Sequence, residues 1–112
     1  MLRIFCILLI ASASCVSHDL NNLTAPEPEP YVCDPSISWQ DDILPTMETS
    51  CATVGCHDGI SRRDWTDYNE VKRYAASIKQ RTVDRSMPFD GPPLSQDEIN
   101  LIACWVDAGA PE

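Results

Sequence analysis

The chain has 112 residues, room for one domain, and carries 17 Asp and Glu against 8 Lys and Arg, a net charge of −9. So acidic a balance argues against a nucleic-acid partner, whose phosphates would repel it, and suits solubility and basic protein partners. Six cysteines in so short a chain point to bridges or cofactor chemistry.

Residues 1–14 read as an export signal. Arg3 supplies the positive start, Ile4 to Ile10 is an unbroken apolar run, and Ala11-Ser12-Ala13-Ser14 is a small-residue cleavage zone. The run falls well short of the ~20 residues that a spanning helix requires. Cys15 comes directly after it and resembles the lipidated cysteine of a bacterial lipobox, with Ser12 standing where leucine is usual. The other reading is ordinary cleavage after Ala13, at an Ala-x-Ala site. A lipid on Cys15 would anchor the exported chain to a membrane, placing it in the periplasm or at the outer membrane.

Residues 15–31 form a tether. Asp19, Glu27 and Glu29, with alternating Pro26, Pro28 and Pro30, leave it extended and solvated with little to bury. Losing Arg3 with the signal leaves 17 acidic against 7 basic residues, a net of −10.

The folded part, 32–112, is only about 80 residues, a size that usually needs a staple. Its coarse reading is all-α, three to four helices, with no strand alternation and no internal repeat. After a loop through Asp34-Pro35-Ser36, Asp41 or Asp42 caps a helix through Ile43, Leu44, Met47 and Glu48, with Pro45 in its first turn. Gly59 to Asp64 is a polar loop. Thr66 or Asp67 caps a second helix from Tyr68 to about Gln80, with Val71, Tyr74, Ala75 and Ile78 at helical spacing. Met87-Pro88 and Gly91-Pro92-Pro93 mark a loop. Ser95 to Glu98 is a capping box opening a last helix. Its apolar stripe is Ile99, Ile102, Ala103 and Val106, flanked by Leu101 and Trp105, and Gly109 and Pro111 end it.

Between the first two helices lies Cys51-Ala52-Thr53-Val54-Gly55-Cys56-His57. Two cysteines with a histidine immediately after them are what a c-type haem needs: two thiols to bond the porphyrin vinyl groups and an imidazole to reach the iron. Four residues separate the cysteines where two are usual. Five positions apart on an ideal helix, their side chains would point about 140° away from each other. The segment must therefore bulge, and Gly55 can take the positive φ that makes a bulge cheap. Zinc is poorly supported, because no second Cys or His pair stands at ligand spacing.

A sixth iron ligand is best supplied by Met87, which Pro88 holds out of helical geometry. Met47 competes, but lies on an apolar helix face where packing is its expected role, and His18 belongs to the tether. Methionine opposite histidine raises the iron's potential and leaves no open site, which favours electron transfer over catalysis. With Cys51 and Cys56 so used, and Cys6 and Cys15 set aside, Cys33 and Cys104 remain as one disulfide pair.

From about Trp39 onward the chain resembles the small monohaem class I cytochrome c domains, and is similar to the cytochrome c-like lipoproteins of Bacteroidetes and related bacteria. The resemblance rests on Asp42-Ile43-Leu44-Pro45, Cys51 to Asp58, Met87-Pro88, Leu94-Ser95 through Glu98-Ile99, and Trp105 to Ala110, in that order. It implies one covalent haem c, thioethers at Cys51 and Cys56, axial ligands His57 and Met87, and a terminal helix crossing the first against the haem edge. The ligand pair points to an electron carrier rather than an enzyme, and the acidic balance suits redox partner proteins with basic docking surfaces. Nothing in the sequence suggests an obligate oligomer, so a monomer is expected. Arg81 and Arg85 are candidates for the haem propionates, though solvated arginines are commoner. Two other classes stay open. One is a cofactor-free exported lipoprotein held by Cys51–Cys56 and Cys33–Cys104 bridges, serving as a binding or structural module. The other is a haem enzyme or redox sensor with a labile Met87 bond.

Overall fold

A computed structural model describes residues 30–112. The expected signal peptide, the expected lipid site at Cys15, His18 and nearly all of the expected tether lie outside the described residues. Among the described residues the fold is helical, with no strand beyond one isolated bridge between Asp58 and Asp64.

Residues 30–36 run exposed along the surface, and Asp34 turns them by accepting from the Ser36 amide at 2.8 Å and hydroxyl at 2.6 Å. The first helix begins earlier than Asp41 or Asp42. Its cap is Ser38, whose hydroxyl accepts from the Asp41 amide at 3.2 Å while the Ser38 amide donates to the Asp42 carboxylate at 2.7 Å. The two aspartates therefore sit inside the first turn, where negative charge favours the helix N-terminus. That turn, Trp39–Ile43, is π-helical, and the Leu44 amide closes it on the Trp39 carbonyl. It runs directly into α1, Leu44–Ser50. Pro45 offers no amide to the ladder, and it stands at the junction where the wide turn passes to α-helix.

Helix α2 spans Tyr68–Val83 and is capped by Asp67, which accepts from the Glu70 amide at 2.9 Å. Val71, Ala75, Ile78 and Thr82 form its buried stripe. It continues past Gln80 because Thr82 is buried, its hydroxyl satisfied at 3.0 Å by the Ile78 carbonyl. Arg85, at φ +59°, then turns the chain out of the helix.

Helix α3 spans Gln96–Asp107 behind a reciprocal capping box between Ser95 and Glu98. Its buried face is Ile99, Ile102, Cys104 and Trp105, whereas Ala103 and Val106 are only half-buried. The core-facing stripe is thus rotated towards Trp105, the bulkiest residue of the helix, and towards Cys104, which is covalently tied. Gly109, at φ +93°, ends the helix.

Helix α3 packs on both α2 and the π turn. The side chains wholly removed from solvent are Trp105, Ile43, Met47, Ile102 and Val71, so Met47 is a packing residue. A disulfide joins Cys33 to Cys104, 71 positions apart, with Cα atoms 5.5 Å from each other. Such a bridge fits an oxidising, exported compartment. No described helix is long and apolar enough to cross a membrane.

Candidate functional site

The segment after α1 is a compact turn. The Cys51 and Ala52 amides both close on the Met47 carbonyl, at 2.9 and 2.7 Å, ending the helix. The chain then folds back: the Cys56 amide donates to the Thr53 carbonyl at 2.9 Å and the His57 amide to the Cys51 carbonyl at 3.1 Å. Gly55 carries the reversal at φ +83°, with open space where a Cβ would stand. Glycine is needed there for its conformation and not for room. The bulge expected between the two cysteines is this turn.

Asp58 holds it in shape. One carboxylate oxygen accepts from the Gly55 amide at 3.0 Å, and the other from the Ile60 and Ser61 amides at 3.0 and 2.7 Å. Backbone donors from Gly55 and Ser61, with Ile60 adding less, pull the Asp58 carboxyl down to about 2 from its usual 3.8. A carboxyl lowered on folding stabilises the fold fully above its ordinary value, and that contribution fades as pH falls through about 2. Acidification from roughly pH 4 downward should therefore release the turn. The Gly55, Ile60 and Ser61 amide resonances should shift together in a pH titration, and in an Asp58→Ala variant those shifts should be absent.

Trp65 positions His57. The His57 carbonyl accepts from the Trp65 amide at 3.1 Å, and the imidazole stacks on the Trp65 indole at 4.4 Å between centroids, 18° from parallel. The imidazole Nδ1 is buried without a hydrogen-bond partner. Burial first, then the nearby Arg62 charge, lowers the imidazole's pKa, which favours the neutral form able to offer a lone pair to a metal. Nothing in the linear sequence marks Trp65 for this role. Its signal is spatial, a tryptophan eight positions on that is brought back by one backbone hydrogen bond.

Cys51 and Cys56 are both free thiols, so the Cys51–Cys56 bridge of a cofactor-free module is not present. Cys51 is half-buried against the core, and its thiol is pushed up to about 11 by burial, with smaller contributions from Glu98 and Cys56. Cys56 is exposed.

Met87 stands in the loop after α2, its amide donating to the Arg81 carbonyl at 3.0 Å. Arg85 ties that loop across its base, with guanidinium contacts to the Leu94 carbonyl at 3.3 Å and the Gln96 side-chain oxygen at 3.0 Å. Arg85 is thereby committed to its own loop.

Cys51, Cys56, His57 and Met87 line one cavity of about 730 Å³, a volume in the range of cofactor and ligand pockets. Trp65 adds a wall beside His57, and α2 contributes Tyr74, Ile78 and Arg81. Met47 takes no part in it. No cluster of three or more His, Cys, Asp or Glu side chains that could hold a metal ion occurs among the described residues.

No family model, curated protein or solved structure matches this chain.

Proposed function

We propose that this chain is a small exported monohaem c-type cytochrome that carries single electrons between redox proteins, tethered to a membrane through Cys15. The observation that carries the reading is convergence. Two free thiols, an imidazole shifted towards its neutral form and a thioether, 36 positions apart from first to last in the sequence, border one cavity. This donor set fits a haem c, with thiols for two covalent bonds and one nitrogen and one sulfur ligand for iron. The bound group would supply the one-electron couple.

The protein's own residues supply the rest. Cys51, at the end of α1, and Cys56, in the turn after it, would hold the group through two covalent bonds. Trp65 holds the His57 ring in one plane by stacking, so that the imidazole presents a set edge to the cavity. Met87, in the loop that Arg85 ties, would supply the sulfur ligand to a bound haem and keep small oxidants away from it, which favours electron transfer over catalysis. Tyr74 and Ile78 line the same cavity and would exclude water from a group held there.

The test is a pyridine haemochrome spectrum of the full chain made in a host with a c-type maturation system. One covalent haem per chain is expected, and no c-type signal overturns the reading. In the same host Met87→Ala should keep the covalent haem, lower its reduction potential and admit carbon monoxide. Unchanged potential and no carbon monoxide binding would remove Met87 as a ligand.

A further inference from the structure

Seven Lys and Arg side chains fall within residues 30–112, and five of them have partners. Arg63 meets Glu70 at 3.8 Å and lies over the Tyr74 ring at 4.2 Å, while Arg73 meets Glu70 at 3.1 Å. Lys79 pairs with Asp107, Lys72 donates to the Tyr68 hydroxyl, and Arg85 is tied to Leu94 and Gln96. The two left without an ion pair or hydrogen bond among the described residues are Arg62 and Arg81, and both line the cavity.

Asp90 is the one carboxylate that borders the same space. A chain with net charge −9 thus places the two unpaired arginines of its described residues at the edge of this cavity. Acidic residues are abundant enough to neutralise both arginines, so leaving them free points to an anion that arrives with the occupant. Arginine's planar fork suits a carboxylate in particular.

The placement is consistent with two separate anionic groups. Tyr74, Ile78 and Arg81 lie on one face of α2, with Arg81 two turns, about 10 Å, beyond Tyr74. Arg62 comes from the loop next to Arg63, whose guanidinium covers Tyr74. The two cations therefore reach the cavity from different elements, the loop before α2 and the last turns of α2.

We propose that Arg62 and Arg81 bind the anionic edge of the cavity's occupant, which for a haem c is the pair of propionates. The inference rests on the proposed function and adds to it an orientation, with the propionate edge turned towards α2 and the Gly59–Asp64 loop. Arg85, the sequence's other candidate, is excluded by its ties to Leu94 and Gln96.

The experiment is spectroelectrochemistry of the full haem-loaded chain as a function of pH. With both arginines present the propionates stay ionised, and the potential should be flat across roughly pH 5 to 8. In Arg62→Gln/Arg81→Gln the propionates lose the cations that favour their ionised form, so their pKa rises towards that window. The potential should then fall with increasing pH, with each single variant showing part of the effect. Arg81→Lys should restore most of the flat profile to Arg81→Gln, and Arg73→Gln, which removes a cation away from the cavity, should match the wild type. Both target arginines are exposed and unpaired, so circular dichroism should show the variants folded. Covalent haem with a flat profile in the double variant overturns this inference and leaves the proposed function standing. A wild-type chain with no haemochrome overturns both.

Discussion

Replacing Cys33 by alanine should lower the unfolding free energy by about 4 kcal/mol, as read by urea denaturation of the purified chain. The bridge joins residues 71 positions apart, so in the unfolded state it closes most of the folded segment into one loop. Without it the unfolded chain recovers that conformational freedom while the folded chain loses little. Cys33 is the residue to change because it is exposed, whereas Cys104 is buried in the face of α3. A substitution at Cys104 would add a packing defect to the loss of the bridge. For a domain of this size such a loss is a large part of total stability. A drop below about 1 kcal/mol would show that the bridge does not constrain the unfolded state. The chain also needs this staple for a structural reason: residues 30–36 make no helix of their own, and the bridge holds them against the terminal helix.

Trp105→Ala should cost about 3–5 kcal/mol, measured the same way. Trp105 is wholly buried, and its indole N–H donates to the Pro111 carbonyl at 2.7 Å. Its ring lies 5.8 Å from Trp39, which in turn lies 5.8 Å from Tyr68, and the Tyr68 hydroxyl donates to the Ala110 carbonyl at 2.9 Å. One aromatic layer thus joins the π turn, α2, α3 and the C-terminal residues. Truncating its centre opens a cavity that three elements border, and they cannot all collapse into it. Trp105→Phe separates packing from hydrogen bonding. It keeps most of the ring volume and should cost about 1 kcal/mol for the lost hydrogen bond, plus a smaller packing contribution. Equal losses in the two variants would mean that the hydrogen bond, not the ring, anchors the layer.

Features legible in the sequence are those made by residues within a few positions of one another. The Ser95–Glu98 capping box, the Asp67 cap, the helical spacing of Val71, Ala75 and Ile78, and the positive φ of Gly55 all depend on hydrogen bonds or sterics spanning at most four residues. The Cys33–Cys104 pair is legible for a different reason, since counting cysteines leaves few ways to pair them. The start of the first helix escapes a local reading. Asp41 and Asp42 have the right chemistry for a cap, but Ser38 can use both its hydroxyl and its amide, and it draws the Asp42 carboxylate back to itself.

By itself, then, the sequence determined the helical class, two of the three helix starts, the bridge and the identity of the four candidate haem-binding residues. The tertiary structure decided what borders the cavity with them. Burial of Trp105, Ile43, Met47, Ile102 and Val71 fixes α3 against both α2 and the first helix, and that packing carries Met87 to the same hollow as Cys51. It also places Trp65 against His57, commits Arg85 to its own loop, and leaves Arg62 and Arg81 facing the cavity. These relations join residues far apart in the chain, and they arise from the shape of the shared core, which no local pattern of residues encodes.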